Sequence, residues 1–508
     1  MVFRIAIIIV ILFVTWGAIA PDSLSATTTS MLNFTTERFG WFYLIATFFF
    51  LVFAFSIAFS RYGKIKLGSD EDEPEYSNST WFAMLFSAGM GIGLVFWGVA
   101  EPINHYMNPP LELQGKSIDA ARVAMPYAFF HWGLHPWAIY AVMALSLAYF
   151  KFRKGAKGLI SATFYPLLGE RVNGPIGKTI DVLAIFATAF GVATSLGFGV
   201  LQINGGLTYL FGLPATFLVQ AVIIAIVTVL FLLSAQTGLD RGIKTLSNVN
   251  LLFALCLLLF TLLLGPTSFI FDTFTTSLGN YLNNLVQMSM RMTPYSQGKW
   301  IQGWTLFYWA WWIAWAPFVG MFIARVSKGR TIREFMIGVL LVPSLLSFIW
   351  FSVFGGTALE FELFRGYDIV ESVKADMTSA LFSTLHHLPL GTFLAGLATL
   401  LIITFFITSA DSATFVLGMF SSKGDLNPSN RVKLTWGVLQ SLIALVLLYS
   451  GGLEALQTAS IVTALPFAVI LVLMCWSVLK ALEQEDRERR KKERERQKKL
   501  DALLLDQK

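Results

Sequence analysis

Five tryptophans, Trp304, Trp309, Trp311, Trp312 and Trp315, fall within twelve positions of the stretch GWTLFYWAWWIAWAP (303–317). Each indole presents a negative π face. A set of such faces suits a cation that has no N–H to donate, a quaternary ammonium, at about 0.5 to 2 kcal/mol per contact. At helical spacing Trp304, Trp311 and Trp315 share one face, and Trp309 and Trp312 share another. A second stretch, HWGLHPWAIY (131–140), sets Trp137 and Tyr140 three apart, and Pro136 allows a kink that brings Trp132 alongside them. Interfacial belts explain single tryptophans at helix ends, but Trp309 to Trp315 run past a belt's depth. A plain aromatic core is the competing account.

The stretch SAGMGIGLVFWGVAEP (87–102) carries Gly89, Gly91 and Gly93 at alternate positions. Close helix packing through the GxxxG of Gly89 and Gly93 is one reading. Three glycines in five residues also weaken a helix by about 1 kcal/mol each relative to alanine. An unwound segment is therefore expected there, with freed carbonyls and amides able to bind ions or a carboxylate. In FFITSADSATF (405–415), Thr408, Ser409 and Ser412 place hydroxyl oxygens in an apolar run, as a sodium site built from hard oxygen ligands would; bonding back to their own helix carbonyls is the alternative. Asp411 and Asp181 are intramembrane carboxylates near span ends. His131, His135, His386 and His387 have no ligand-type spacing and read as structural. No phosphate-cradling GxxxxGK[ST] loop occurs, which disfavours a nucleotide-driven pump, and no metal or nucleophile constellation supports an enzyme.

The elements that must position these residues are membrane helices. Of 508 residues, 56% are apolar and 13% charged, and the mean hydropathy is +0.66. Twelve apolar runs are long enough to cross about 30 Å of hydrocarbon, near 4–20, 41–60, 80–101, 127–150, 178–205, 213–234, 245–268, 300–323, 335–358, 390–413, 432–451 and 459–481. The first reads as a retained helix rather than a cleaved leader. Nineteen Lys and Arg in the head and alternate loops, against seven in the others, place both termini in the cytoplasm by the positive-inside rule. The net charge of +6 follows from this bias and calls for no nucleic-acid partner. Cys256 and Cys475 suggest neither a disulfide framework nor a metal site. Between the seventh and eighth runs, Phe271, Phe274, Leu278, Leu282, Leu285 and Met288 predict an amphipathic helix along the outer surface. The tail at 483–508, with ten basic and eight acidic residues, predicts a solvated helix or a regulatory arm that meets anionic lipid or cytoplasmic loops. The glycine-rich third run and the tryptophan-rich eighth run are five apart, so each would open one of two five-helix halves, the usual pointer to a midplane transport site.

GMGIGLVFWGVAEP, HWGLHPWAIY and GWTLFYWAWWIAWAPFVGMFIARVSKGRTIREF together resemble the signatures of the betaine–carnitine–choline transporters, in that family's order. The resemblance implies an all-α integral membrane protein of 12 transmembrane helices with a LeuT-type fold of two inverted five-helix repeats. Two helices at 1–78 would lie outside the repeats, 79–298 and 299–482 would be the repeats, and 483–508 the cytoplasmic tail. It implies an aromatic box of Trp132, Trp137, Tyr140 and Trp312 for a trimethylammonium group, with Trp311 and Trp315 lining the pathway and Gly89, Gly91 and Gly93 beside it. It further implies a sodium site at Met90, Phe405, Thr408 and Ser409, membrane lipid as surroundings, and a homotrimer. Gly93, where choline carriers tend to place Asp, favours glycine betaine, a zwitterion that brings its own carboxylate. Two departures stand out: Ser87 where alanine is usual, and Val192 beside Thr188 where a second sodium site would want a hydroxyl. The expected function is import of glycine betaine with sodium across a bacterial cytoplasmic membrane for osmoprotection. Choline, carnitine or ectoine as substrate, and proton coupling, are the alternatives.

Overall fold

In lipid every backbone N–H and C=O must be paired within the chain, so apolar runs of this length become helices. The computed structural model describes residues 2–89, 91–237, 242–295, 299–425 and 427–506. Its helices are α1 (Val2–Ile19), α2 (Pro21–Phe59), α3 (Asn78–Gly89), α4 (Ile92–Met107), α5 (Ile118–Trp132), α6 (Leu134–Ala148), α7 (Tyr165–Leu168), α8 (Pro175–Phe211) and α9 (Phe217–Thr237). They continue with α10 (Gly242–Leu264), α11 (Thr267–Ser289), α12 (Phe307–Val326), α13 (Ile332–Glu360), α14 (Ile369–Ala375), α15 (Ala380–His386), α16 (Gly391–Ser421) and α17 (Asn430–Asp506). Among the described residues the only β pairing is an isolated bridge between Lys66 and Thr331.

Among the described residues, ten helices are long and apolar enough to cross a membrane. The twelve expected runs map onto this set with two differences. The run at 80–101 is divided into α3 and α4, of 12 and 16 residues, each short of the roughly 20 that a span needs. The runs at 432–451 and 459–481 both lie in α17, which departs from helical geometry at Gly451 and Gly452, the latter at φ 58° and ψ −133°.

The centre of the molecule is α8, which packs against α4, α12, α16 and α17, while α12 also packs on α6 and α17. Small residues set these distances. A Cβ on Gly191 would lie 2.9 Å from Cβ of Ala314, so α8 and α12 meet backbone to backbone.

Two expectations change in detail. The amphipathic helix forms as α11 with Ile270, Ser277, Tyr281, Met288 and Ser289 buried; Met288 of the expected stripe is among them, but Phe271 and Leu282 are exposed. The face turns because Tyr281 packs on Phe348 of α13 at 5.3 Å and its hydroxyl accepts the Leu134 N–H at 3.3 Å. Of the two readings of the charged tail, its base follows the one that meets loops, though through an acidic side chain: Glu485 accepts from the Tyr149 hydroxyl at 2.8 Å and pairs with Arg153 and with Lys154 at 2.7 Å. Arg153 in turn reaches Asp70 at 2.9 Å and the carbonyl of Gly68 at 2.8 Å. The tail helix is thereby tied to the loops that follow α2 and α6.

Candidate functional site

Three backbone irregularities build the site. The first is the break between α3 and α4. Gly91 caps α4 in an extended conformation (φ −157°, ψ −179°), and a Cβ placed there would meet nothing within 4 Å. The amides of Ile92 and Gly93 precede the first helical bonds of α4, which run from Leu94 and Val95 to the Gly91 carbonyl, and form the positive end of its dipole. Gly89 ends α3; Met90 lies outside the described residues. The second is at Gly133 (φ −95°, ψ −131°), which separates α5 from α6. Pro136 was the expected kink, but it sits in the first turn of α6, where proline costs no hydrogen bond. Glycine is the breaker because a Cβ at 133 would lie 2.6 Å from the Phe129 carbonyl and 2.7 Å from the Phe348 ring. The third is the π-helical turn Gln302–Leu306, which feeds directly into α12.

These breaks surround a narrow cavity of about 40 Å³ lined by Gly91, Gly93, Trp132, Trp137, Tyr140, Ser195, Trp311, Trp312 and Trp315, among others. Trp132, Trp312, Tyr140 and Trp137 meet edge to face in succession, with centroids 4.8, 6.2 and 5.4 Å apart. Trp311 stacks on Trp312 at 4.7 Å and 16°. The hydroxyl of Tyr140 is buried without a hydrogen-bond partner. Such a group costs free energy unless something in the cavity pairs with it.

Four of the five indoles that line the cavity have their N–H held from behind. Trp312 donates to the carbonyl of His131 at 2.9 Å, Trp315 to that of Gly191 at 2.8 Å, and Trp311 to the hydroxyl of Ser195 at 3.1 Å. Trp132 donates to Glu101 Oε2 at 2.8 Å. With their N–H edges anchored, the rings are fixed against the cavity. Trp309 and Trp304 belong to the surrounding aromatic packing instead: Trp309 stacks on His135 at 5.2 Å, and Trp304 meets His105 at 4.6 Å.

Glu101 is the principal residue that the sequence reading passed over. It is fully buried on α4. Its Oε1 lies 2.7 Å from Nδ1 of His131 and 3.1 Å from Nε2 of His105, and its Oε2 accepts from Trp132 and from the Tyr308 hydroxyl. The signal was present, a carboxylate inside an apolar run. His105 lies one helical turn along α4, but the other partners come from α5 and α12 and have no regular spacing. The two histidines and Glu101 offer metal-type ligand atoms within 4.8 Å of one another, but the separations are those of hydrogen bonds that satisfy the carboxylate directly. His135 bonds Ser289 at 2.8 Å, His386 bonds Tyr209 at 2.7 Å, and His387 stacks on Tyr367 at 3.9 Å.

Of the expected sodium ligands, Phe405 and Thr408 are buried on α16 and Ser409 is half-buried beside them. The Thr408 hydroxyl lies 3.0 Å from the carbonyl of Thr404 and 3.2 Å from that of Phe405, and accepts from Asn250 Nδ2 at 3.0 Å. It therefore does bond back to its helix, and one lone pair stays free. Asn250 was not foreseen; its Oδ1 is buried without a partner. The Thr188 hydroxyl bonds its own helix at Ala184 (2.8 Å), and Val192 offers no oxygen from its side chain. The intramembrane carboxylates are occupied locally, Asp411 by Ser234 at 2.6 Å and Asp181 by the backbone and hydroxyl of Ser161 at 2.9 and 2.8 Å.

A family model for betaine/carnitine/choline transporters matches residues 1–487. The chain belongs to the betaine/carnitine/choline transporter family. It is similar to the glycine betaine transporter OpuD of Bacillus subtilis (strain 168), with 56% identity over 96% of each chain. It is also similar to a probable glycine betaine transporter of Desulfitobacterium hafniense (strain Y51), with 50% identity over 94% of this chain and 96% of the other. A third relative, the ectoine/hydroxyectoine transporter of Virgibacillus pantothenticus, is 50% identical over 96% of this chain and 97% of its own. The protein is thus a multi-pass membrane transporter and not an enzyme.

For a family member whose task is to bind and release, the geometry sorts the expected residues into two groups. Gly91, Gly93, Trp132, Trp137, Tyr140, Trp311, Trp312 and Trp315 converge on one cavity. Phe405, Thr408 and Ser409 lie on α16, do not line that cavity, and are joined to α10 through Asn250.

Proposed function

We propose that this transporter imports glycine betaine together with sodium by alternating access, as an osmoprotectant uptake system of a bacterial cytoplasmic membrane. The closure of four aromatic rings around a cavity that Gly91 and Gly93 also line carries this reading. Trp132, Trp137, Tyr140 and Trp312 would hold the trimethylammonium group by their π faces. The amides that open α4 would hold the carboxylate, as helix N-termini do for anions. The unpaired Tyr140 hydroxyl would find its partner in the substrate.

The reading includes twelve spans, two of them the divided α3/α4 and the two parts of α17, in two inverted five-helix repeats at 79–298 and 299–482 after the first two helices of 1–78. Both termini would lie in the cytoplasm, and the assembly would be a homotrimer in lipid. Sodium would travel as co-substrate between α3 and α16, at Met90, Phe405, Thr408 and Ser409. One sodium moving with a neutral zwitterion gains about 2.3 kcal/mol per 100 mV, roughly a fifty-fold accumulation before the sodium gradient is counted.

The deciding experiment is uptake of labelled glycine betaine into proteoliposomes under an inward sodium gradient, with potassium or a proton gradient in its place as controls. Saturable uptake with sodium alone is the expected result; proton-driven uptake would shift coupling to Asp411 or Asp181. The ectoine/hydroxyectoine relative supports a second reading, ectoine as substrate. It predicts that unlabelled ectoine competes with labelled betaine at comparable concentration.

A further inference from the structure

Behind the aromatic cavity stands a charge. Glu101 Oε2 accepts the N–H of Trp132 and the hydroxyl of Tyr308, both of whose rings pack on Trp312, at 4.8 and 5.9 Å. Among the described residues no Lys or Arg pairs with this carboxylate; its only basic neighbours are His105 and His131.

The hydrogen bonds orient both imidazoles. His131 turns Nδ1 to Glu101 and Nε2 to the Thr305 hydroxyl at 3.0 Å. His105 gives its Nε2–H to Glu101, and its Nδ1 is buried with no partner. A second proton there would create a buried donor with no acceptor, at the cost of an unmade hydrogen bond. Four donors from His105, His131, Trp132 and Tyr308 fit an ionised carboxylate, which stands one indole away from the cavity.

We infer that Glu101 is the positioning residue that sets the charge preference of the aromatic box, acting through Trp132 and Tyr308. The inference rests on the reading of the cavity as a trimethylammonium site. An anion at the N–H edge of an indole pushes electron density toward the faces, and it is a face that a quaternary ammonium meets. The carboxylate also acts through space in a region of low dielectric. A full cation feels this attraction undiminished. A zwitterion feels it at the ammonium end and is opposed at the carboxylate end.

Replacing the charge while keeping the shape should therefore weaken cations more than zwitterions. The test is binding of choline and of glycine betaine to the purified full-length protein by isothermal titration, with Glu101→Gln, Glu101→Asp and Tyr308→Phe beside the wild type. In Glu101→Gln the ratio of choline to betaine affinity is expected to fall about tenfold, from loss of one unit charge at close range. Glu101→Asp should restore the ratio even where both affinities decline. Equal weakening of both ligands, or no change in either, would overturn the assignment and leave the box reading standing. Should Glu101→Gln fail to fold, Tyr308→Phe decides: with one fewer donor on Oε2 the ratio should rise at least about twofold, and a constant or lower ratio would overturn the assignment. A wild type that binds neither compound removes the box reading and this assignment together.

Discussion

A methyl group on Gly93 would sit 2.5 Å from Cη2 of Trp311 and 3.1 Å from that of Trp132. Trp311 has nowhere to retreat, since its N–H is held by Ser195 and its ring lies flat on Trp312. The glycine expected on grounds of substrate charge is thus also needed for space. Overpacking of this kind costs about 1–3 kcal/mol, so Gly93→Ala should weaken glycine betaine binding by roughly tenfold or more with the fold retained. Titration calorimetry on the purified variant checks this, and an unchanged Kd would show that the ring yields freely.

Trp312 touches Trp132, Tyr140 and Trp311 and is anchored to the carbonyl of His131. Within the box, Trp312 and Tyr140 each meet two other rings, and Trp132 and Trp137 one each. One π face is worth about 0.5 to 2 kcal/mol to a quaternary ammonium, so Trp312→Ala should lose at least that much together with the order of its neighbours. Trp312→Phe keeps a face and gives up the anchor, and should lie between the two. Betaine affinity in the order wild type, Phe, Ala is the expected outcome; equal affinity in all three variants would remove the box.

The hydroxyl of Thr408 is shared between its own helix and Asn250. Thr408→Val keeps the shape and removes the oxygen, leaving Asn250 Nδ2 without its acceptor. If sodium uses this oxygen, the sodium concentration for half-maximal uptake should rise several-fold, while betaine affinity at saturating sodium stays near the wild-type value. A lowered uptake rate with unchanged sodium dependence would assign the hydroxyl to helix packing alone.

What could be read from the sequence follows from periodicity. Indoles at helical spacing, glycines at alternate positions and hydroxyls in an apolar run are local signals; the structure brings Gly91, Gly93 and five of the indoles to one cavity, while the hydroxyls lie apart on α16. The turn of α11 is not local: its stripe fits a helix, but Tyr281 chooses the buried face by reaching Leu134 and Phe348. The break at Gly133 rather than at Pro136 likewise depends on Phe348, more than two hundred positions away in the chain. Glu101 was visible as a carboxylate in the membrane. Its meaning was not, because the donors that surround it, His131, Trp132 and Tyr308, are brought there by packing of α4, α5 and α12 and not by any spacing. The same holds for the docked tail, whose composition alone fits a free helix.

That docking gives a contrast within one helix. Glu485 is 14% exposed and faces Tyr149, Arg153 and Lys154, while Glu493, two turns further on, is 66% exposed and pairs with Arg489 at 3.4 Å. Exposed pairs contribute about 0–1 kcal/mol. A charged hydrogen-bond partner removed from a largely buried site costs more, about 1.5–3 kcal/mol, because glutamine offers Tyr149, Arg153 and Lys154 one uncharged acceptor oxygen in place of a carboxylate. Glu485→Gln should therefore lower the midpoint of thermal unfolding in detergent, and Glu493→Gln should leave it in place. Raised salt should narrow the difference only slightly, since partly buried pairs are screened less than exposed ones. Equal midpoints for the two variants would mean that the tail rests on the loops without holding them, and that the tie between α17 and the segments after α2 and α6 carries no free energy.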